Sequence, residues 1–256
     1  FTYQIDRWRT VNNAAATIQR KVEQTLPTGE RVNTLNITMS ATGYAALQQR
    51  VEDYIYLRGK TVILSMWVKS NVSAGMSIYD GLSQPFAVPH SGNGEWEYIT
   101  LAHSCPTNTS DMRAELWTKY PVSADAYIEI ANVQLEIGSV ATPFEHRSYG
   151  EELALCQRYY QMVSDKFTSQ GTRWAGEYFG SYYMPVTMRS APAFLGSRPA
   201  MLKAFGAGAA LDSTAVVAGE AGISSIELQM TGGSVGTSAF LRFGASTDWF
   251  SLDAEL

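Results

Sequence analysis

The chain has 256 residues, of which 45% are hydrophobic, 12% aromatic and 17% charged, and its formal net charge is -5. This composition is typical of a folded, β-rich protein, and no apolar run approaches the roughly 18 residues of a membrane span. Because nucleic-acid surfaces need clustered Lys and Arg, the acidic balance and the 19 scattered basic residues argue against DNA and RNA as partners.

Alternating patterns in the first half of the chain predict half-buried strands. Residues 61–70 have an apolar phase that begins at Val62, with Trp67 in the opposite phase. In residues 112–118, Leu116 is in the apolar phase. Further strands are predicted at residues 74–79, 97–103 and 127–137. Short strands separated by turn-like clusters predict an antiparallel sandwich.

The strand predicted at residues 127–137 changes phase along its length. Ile128 and Ile130 share one phase, whereas Val133 and Leu135 share the other. A β-bulge near residues 131 and 132 would explain the change.

Residues 148–158 have a helical pattern. Ser148 is suited to be the N-cap and Glu151 to complete a reciprocal capping box. Tyr149, Leu153, Cys156 and Tyr160 repeat along one face. A helix this short is unstable in isolation, so its apolar face is expected to dock on a domain or on a neighbouring chain.

Strand patterns resume after the helix and predict a second, smaller all-β region. Strands are expected at residues 174–189, 224–231, 238–243 and 248–252. Pro185 suggests that the first of these lies at a sheet edge or contains a bulge. Residues 194–222 are rich in Ala and Gly and give no clear pattern.

The junction between the two β-rich regions contains a Gly-Ser-x-x-Thr-Pro-Phe-Glu turn at residues 138–145 and a Glu-Leu-x-x-Cys-Gln-Arg-Tyr-Tyr segment at residues 152–160. With these motifs it resembles the junction found in many bacteriophage tail fibre and tail tip proteins. The resemblance is supported by the segments at residues 5–8, 59–70, 185–192 and 253–256. The matching junction residues are Gly138, Ser139, Thr142, Pro143, Phe144, Glu145, Glu152, Leu153, Cys156, Gln157, Arg158, Tyr159 and Tyr160.

This resemblance implies an all-β protein with three parts. They are a carbohydrate-binding-like jelly roll at residues 1–147, a connecting helix at residues 148–158 and a C-terminal β-sandwich tip at residues 159–256. It also implies a homotrimeric, receptor-binding protein of the virion tail, made in the host bacterial cytoplasm, which binds a host surface polysaccharide and contacts other phage tail proteins. The chain begins at Phe1 rather than Met, so it is expected to be the downstream part of a longer protein.

Saccharide sites combine an aromatic face with a few polar groups that orient hydroxyls. If their strands adjoin in one sheet, the outward phase of the first region would form such a platform. Packing against the second sheet, another subunit or the C-terminal region is the alternative. The platform residues are Trp67, Tyr79, Arg113, Glu115, Trp117 and Lys119.

A second aromatic set lies in the C-terminal region and is a candidate receptor site. Packing at a trimer interface explains the same residues, because interfaces favour Tyr, Trp and Arg. The set comprises Arg173, Trp174, Tyr178, Tyr182, Tyr183 and Trp249.

Catalytic and metal signals are weak. No metalloprotease, nucleophile-elbow or P-loop motif occurs, so an enzyme is not expected, and a capsule depolymerase is the less favoured alternative to a binding or structural tail component. No cofactor is expected; a structural Ca²⁺ with oxygens from Asp6, Asp125 or Glu136 is an open alternative. Cys105 and Cys156 could form one disulfide, but two buried thiols are expected.

Overall fold

The structure is a computed structural model of the chain. It describes residues 2–5, 8–12, 15–84, 90–118, 121–164, 168–174, 177–196, 202–206, 209–212, 215–221, 225–231, 238–243 and 249–254; in most strands of the C-terminal part, the backbone alone is described. The chain divides into two compact units, Phe1–His146 and Arg147–Leu256.

Two five-stranded antiparallel sheets form the first unit. The first sheet has the order β1-β2-β5-β9-β7, and the second sheet has the order β3-β4-β10-β6-β8. The strands are β1 (Thr2–Ile5), β2 (Trp8–Asn12), β3 (Ala16–Thr25), β4 (Arg31–Met39), β5 (Ala45–Arg50), β6 (Thr61–Ser70), β7 (Ala74–Tyr79), β8 (Trp96–Ser104), β9 (Arg113–Thr118) and β10 (Tyr127–Ile137).

The core of the first unit lies between these two sheets. Leu64 and Met66 of β6 pack in one cluster with Met76 of β7 and Leu116 of β9, and all four are fully removed from solvent. The alternation predicted for β6 and β9 is therefore confirmed. Each sheet also has an outer face, turned away from this core, which carries the residues of the opposite phase.

Consecutive strands from β4 to β10 alternate between the two sheets. This crossing of the chain is the topology of a jelly roll, so the predicted all-β jelly roll is confirmed. Strands that are neighbours in sequence therefore face each other across the core, and β7 and β9 become neighbours in the first sheet.

The predicted bulge in β10 is confirmed. Its register against β6 shifts between Ala131 and Gln134, and Asn132 has a φ of 49°, in the left-handed region that Asn tolerates. The Asn132 side-chain amide donates to the Glu30 carboxylate at 3.1 Å. As a result, Val133 and Leu135 pack against the core although they are out of phase with Ile130.

After β10, the turn of the junction is bound to the second sheet. Thr142 donates its amide and its hydroxyl to the Glu136 carboxylate at 2.8 and 2.7 Å. The amide of Glu145 donates to the Gln134 side chain at 2.8 Å. His146 lies 3.1 Å from Glu30. Residues 138–146 therefore belong to the jelly roll and are held by side chains that the bulge turns outward.

A single α-helix, α1 (Tyr149–Gln157), is present in the described part of the second unit. Ser148 accepts from the Glu151 amide and Glu151 reaches back to the Ser148 amide, so the predicted capping box is confirmed. None of the helix residues is buried, and Tyr149 is 81% exposed. Docking of the apolar face on a neighbouring chain remains a prediction.

The rest of the second unit is antiparallel β-structure, as predicted. A three-stranded sheet has the order β11-β20-β14, and a seven-stranded sheet has the order β16-β15-β19-β12-β13-β18-β17. The strands are β11 (Tyr160–Ser164), β12 (Thr168–Trp174), β13 (Glu177–Tyr183), β14 (Ala193–Gly196), β15 (Leu202–Gly206), β16 (Ala209–Asp212), β17 (Ala215–Ala221), β18 (Ser225–Thr231), β19 (Ser238–Phe243) and β20 (Trp249–Asp253).

The prediction of one strand over residues 174–189 at a sheet edge is wrong. β13 ends at Tyr183 and pairs with a strand on each side, β12 and β18. Pro185 has no amide hydrogen to give to a neighbouring strand, and it lies just beyond the strand end instead of inside it. Residues 194–222, which gave no clear pattern, contribute strands β15 to β17.

Cys105 and Cys156 form no disulfide, as predicted; Cys105 is buried as expected, whereas Cys156 is only half-buried. In the part of the chain that the structure describes, no helix is long and apolar enough to cross a membrane.

Truncation of Leu64 tests the core between the two sheets. Leu64 is fully buried, so Leu64→Ala should leave a cavity and lower the free energy of unfolding by about 2–5 kcal/mol. Leu82→Ala is the matched control, because Leu82 is 56% exposed and its truncation should cost less than about 0.5 kcal/mol. Urea unfolding measures both variants, and equal losses would contradict this description of the core.

Candidate functional site

A buried carboxylate lies at the centre of the outer face of the first sheet. Glu115 is in the middle of β9, between Ala114 and Leu116, which both point into the core. Its side chain points away from that core, yet the residue is only 1% exposed. A carboxylate in such a position must have its hydrogen bonds supplied by the protein.

Four side chains donate hydrogen bonds to Glu115. Gln48 donates its amide to Oε1 at 2.5 Å. Ser77 donates its hydroxyl to Oε2 at 3.1 Å, the indole N–H of Trp117 donates to the same oxygen at 2.8 Å, and the Gln84 amide also donates there. The carboxylate therefore accepts bonds from the two neighbouring strands β5 and β7, from its own strand β9, and from the segment after β7.

The network continues across the sheet to β2. The Arg9 guanidinium donates from Nε to Gln48 Oε1 at 2.9 Å. Arg9, Gln48, Glu115 and Ser77 occupy directly opposite positions on β2, β5, β9 and β7, and all four are buried. We call this set the polar row. It links four strands through side chains in addition to the backbone ladder.

Burial raises the pKa of the Glu115 carboxyl, because removal from water disfavours the charged form. The hydrogen bonds from Trp117, Ser77 and Gln84 and the charge of Arg113 act in the opposite direction without cancelling the effect of burial. Burial of the charged Glu115 carboxylate therefore destabilises the folded state, and the hydrogen-bond donors around it reduce that destabilisation.

Trp117 is the aromatic residue that this network positions. Its indole N–H is fixed by Glu115, and the residue stays half-buried on the outer face. The residues opposite it on β7 and β5 are Gly75 and Ala46, the two smallest types. A Cβ placed on Gly75 would meet no other described atom within 4 Å. The indole is thus flanked by two small, buried residues, and the Tyr44 ring lies 6.4 Å from it. The part of the indole that remains exposed is of a kind on which sugar rings stack.

A charged cluster lies two residues from Glu115 in the other direction along β9. The Arg113 guanidinium packs over the Tyr79 ring at 4.5 Å and donates from Nε to Asp111 Oδ2 at 2.7 Å. Arg50, opposite Arg113 on β5, approaches the same oxygen at 3.8 Å. One face of Tyr79 is therefore covered by Arg113.

The structure brings together part of the platform predicted from the sequence. Tyr79, Arg113, Glu115 and Trp117 lie on the adjoining strands β7 and β9. Glu115 is buried beneath its donors and is not an exposed contact residue. Lys119 lies outside the described residues.

Trp67 does not join this set, because β6 belongs to the second sheet. The condition that all the platform strands adjoin in one sheet is therefore not met. On the outer face of the second sheet, Trp67 packs with a small cluster of buried residues, Leu26, Val32 and Ala131. Its ring lies 5.2 Å from that of Tyr98. Trp67 therefore packs against other side chains, which was the alternative to saccharide binding for this residue.

The second predicted set is divided between two sheets. Arg173 and Tyr178 are directly opposite each other on β12 and β13, and Tyr183 is exposed at the end of β13. Burial raises the pKa of Tyr182. Trp249 is on β20, in the three-stranded sheet. The side chains of Arg173, Trp174, Tyr178 and Trp249 lie outside the described part, so their role in binding stays a prediction.

Sequence patterns missed most of the polar row. Arg9, Gln48 and Ser77 are ordinary polar residues at positions that the period of a strand assigns to solvent. Gln48 and Ser77 bond to Glu115 across 67 and 38 residues of the chain, and Arg9 joins the row through Gln48, 39 residues away. No local motif marks a set that only the topology assembles.

The buried Asp80 carboxylate, outside this network, has local structural partners. Asp80 accepts from the Leu82 and Ser83 amides at 2.7 and 2.6 Å and lies 2.9 Å from His103. Among the described residues, no group of three or more His, Cys, Asp or Glu side chains is placed to hold a metal ion. Of the candidate Ca²⁺ residues, Glu136 binds Thr142, and Asp6 lies outside the described range.

No protein-family model matches this chain, and no curated protein matches it. Among solved structures, the enzymatically active domain of tailspike protein 4 from bacteriophage CBA120 is similar over 52% of this chain and 20% of its own, with 14% identity and a TM-score of 0.42. The C-terminal family 22 carbohydrate-binding module from Clostridium thermocellum matches 54% of this chain and 91% of its own, with 14% identity and a TM-score of 0.38.

A family 61 carbohydrate-binding module in complex with β-1,4-galactotriose matches 51% of this chain and 88% of its own, with 17% identity and a TM-score of 0.38. Because these TM-scores are below 0.5, the likenesses carry no functional argument. The function must rest on the residues of this chain.

The pH dependence of stability tests the buried state of Glu115. A raised folded pKa means that this group contributes stability that is fully present below the unfolded pKa and is lost as the pH rises through the folded pKa. We therefore expect the wild type to lose stability relative to Glu115→Gln as the pH rises across that window, measured by urea unfolding.

Glu97→Gln is the control for this experiment. The side-chain hydrogen bond from Ser91 lowers the pKa of Glu97, so the contribution of Glu97 is present above the unfolded pKa and is lost as the pH falls through the folded pKa. The two variants should therefore give slopes of opposite sign. Slopes of the same sign would show that Glu115 is not buried as described.

Proposed function

We propose that this chain is a non-enzymatic, glycan-binding part of a phage tail receptor-binding protein, and that the outer face of the first sheet binds the glycan. The observation that carries the proposal is the half-buried indole of Trp117, which is oriented by a buried carboxylate. The tail assignment is supported by the resemblance of the junction residues.

Pre-organisation of Trp117 supports binding as the role of this site. An aromatic side chain that is already fixed loses little conformational freedom when a sugar ring stacks on it. The Glu115 hydrogen bond removes rotation of the indole, and the polar row holds Glu115 through Gln48 and Ser77. Burial of the network is unfavourable, but it makes the indole rigid before any ligand binds.

The same geometry argues against hydrolysis. A glycosidase needs two carboxylates that can both reach the scissile bond, one as acid and one as base or nucleophile. Glu115 has the raised pKa of an acid, but its oxygens are occupied by four donors and are shielded from solvent. Asp111 is bound to Arg113. Neither group is free to act on a substrate.

Assembly into a homotrimer would add avidity. Three weak sites on one particle bind a repetitive surface polysaccharide far more tightly than one site, because the second and third contacts form at a high effective concentration. Apolar side chains exposed near the start of the second unit, Tyr149, Leu153, Tyr160 and Met162, are suited to contacts between subunits.

A purely structural tail component is the second candidate function. The same exposed apolar set favours it, because protein partners as well as copies of this chain could cover these side chains. In that case the chain would be needed for virion assembly and would bind no glycan.

Truncation of Trp117 separates these functions. We expect the purified chain to bind a panel of bacterial surface polysaccharides selectively, and Trp117→Ala to weaken that binding by about tenfold or more, the loss typical of a central aromatic contact. Binding is measured by biolayer interferometry, with circular dichroism to verify folding. A parallel assay for new reducing ends should give no signal above the buffer control.

Tyr98→Ala is the matched control, because Tyr98 is an exposed aromatic residue on the outer face of the second sheet. It should bind within about twofold of the wild type, since it lies outside the site. Unchanged binding by folded Trp117→Ala, or a larger loss in Tyr98→Ala, would reject the first sheet as the binding face.

A further inference from the structure

We propose that the glycan bound by this face is acidic, and that Arg50 binds a carboxylate of the saccharide while Trp117 stacks on a neighbouring ring. This inference rests on the proposed glycan-binding function and names the ligand class of the same site. It follows from how the arginines of the site are paired.

Two arginines face each other across β5 and β9. Arg50 and Arg113 are directly opposite, in the same outward phase as Gln48 and Glu115. Like charges at directly opposite positions repel, so the pair needs an anion. Asp111 is the one carboxylate near both guanidiniums among the described residues, and it offers a single negative charge. One positive charge is left without a counterpart.

The hydrogen bonds identify Arg50 as the arginine that lacks a partner. Arg113 donates to Asp111 and lies against the Tyr79 ring. Arg50 comes no closer than 3.8 Å to Asp111, beyond hydrogen-bond distance, and its Nε is sealed from solvent with no hydrogen-bond partner. The outer end of the side chain remains accessible. A planar carboxylate matches the paired donors of a guanidinium and would satisfy both the charge and the donors.

The position of Arg50 relative to Trp117 favours an oligosaccharide over a single sugar. Arg113 and Trp117 are four residues apart on β9, and Arg50 lies beside Arg113. Four residues of a strand span roughly 13 Å. A sugar ring stacked on the indole would therefore not reach the arginines. The acidic group that binds there would belong to a different sugar of the same oligosaccharide.

The charge balance of the site agrees with an anionic ligand. Near Arg50, two guanidiniums, those of Arg50 and Arg113, share the single carboxylate of Asp111. The chain as a whole has a net charge of -5. A positive site on an acidic protein attracts anions locally, while the rest of the surface repels them. Acidic polysaccharides would therefore bind at this face and not elsewhere.

Matched acidic and neutral polymers test the inference. Polygalacturonate, alginate, hyaluronan and polysialic acid would each be compared with its carboxyl-reduced, neutral form, using the full chain in biolayer interferometry. We expect at least one acidic polymer to bind and its reduced form to lose that binding. Arg50→Gln should weaken binding to the acidic form about tenfold, and Arg50→Lys, which keeps the charge without the paired donors, by less.

Arg31→Gln is the matched control, because it removes one positive charge from an exposed arginine of β4, in the second sheet. It should bind as the wild type does. If Arg31→Gln lost as much affinity for the acidic polymer as Arg50→Gln, the effect would come from net charge alone, and the assignment of Arg50 would be overturned.

The outcomes distinguish the ligand class from the proposed function. If the neutral forms bind as well as the acidic ones and Trp117→Ala weakens both, glycan binding stands and the acidic class is overturned. If none of the acidic polymers binds in preference to its neutral form, the acidic class is likewise overturned. If binding occurs but Trp117→Ala leaves it unchanged, the proposed function itself fails.

Discussion

A carboxylate that is withdrawn from water must be given hydrogen bonds by its neighbours, and this requirement at Glu115 governs the outer face of the first sheet. Its donors come from β5, β7, β9 and the segment after β7. A shift of any of these strands by one residue would turn a donor into the core and leave the charge unpaired. The network therefore specifies the register of the strands and the orientation of Trp117 together.

Local patterns predicted those features that depend on neighbouring residues. The phases of β6 and β9, the bulge in β10 and the capping box at Ser148 each follow from a few consecutive residues. The assignment of Trp67 and Trp117 to one platform failed, because a period of two gives the face of a strand but not the sheet to which the strand belongs. Burial of Glu115 was missed for a related reason: its donors are distant in sequence, and a charged residue in the outward phase is usually solvated.

The two outer faces of the jelly roll differ in what occupies them. On the second sheet, Trp67 packs on Leu26, Val32 and Ala131, and residues 138–146 are bound alongside through Gln134 and Glu136. On the first sheet, Trp117 lies beside the buried residues Gly75 and Ala46, and its ring is 6.4 Å from that of Tyr44. The two outer faces therefore differ in what lies against their tryptophan, although the sequence gives both faces one.

The bulge in β10 makes the fold tolerant of one kind of genetic change and intolerant of another. Asn132 supplies the extra residue that turns Val133 and Leu135 inward and Gln134 and Glu136 outward. Deletion of that one codon would exchange the two sets, burying two polar side chains in the core and detaching the junction from the sheet. Glycine, which adopts a left-handed backbone without strain, can replace Asn132, whereas a change in length there cannot be absorbed. Related chains are therefore expected to keep the number of residues at the bulge and to vary in identity at residue 132 only among residues that tolerate this conformation.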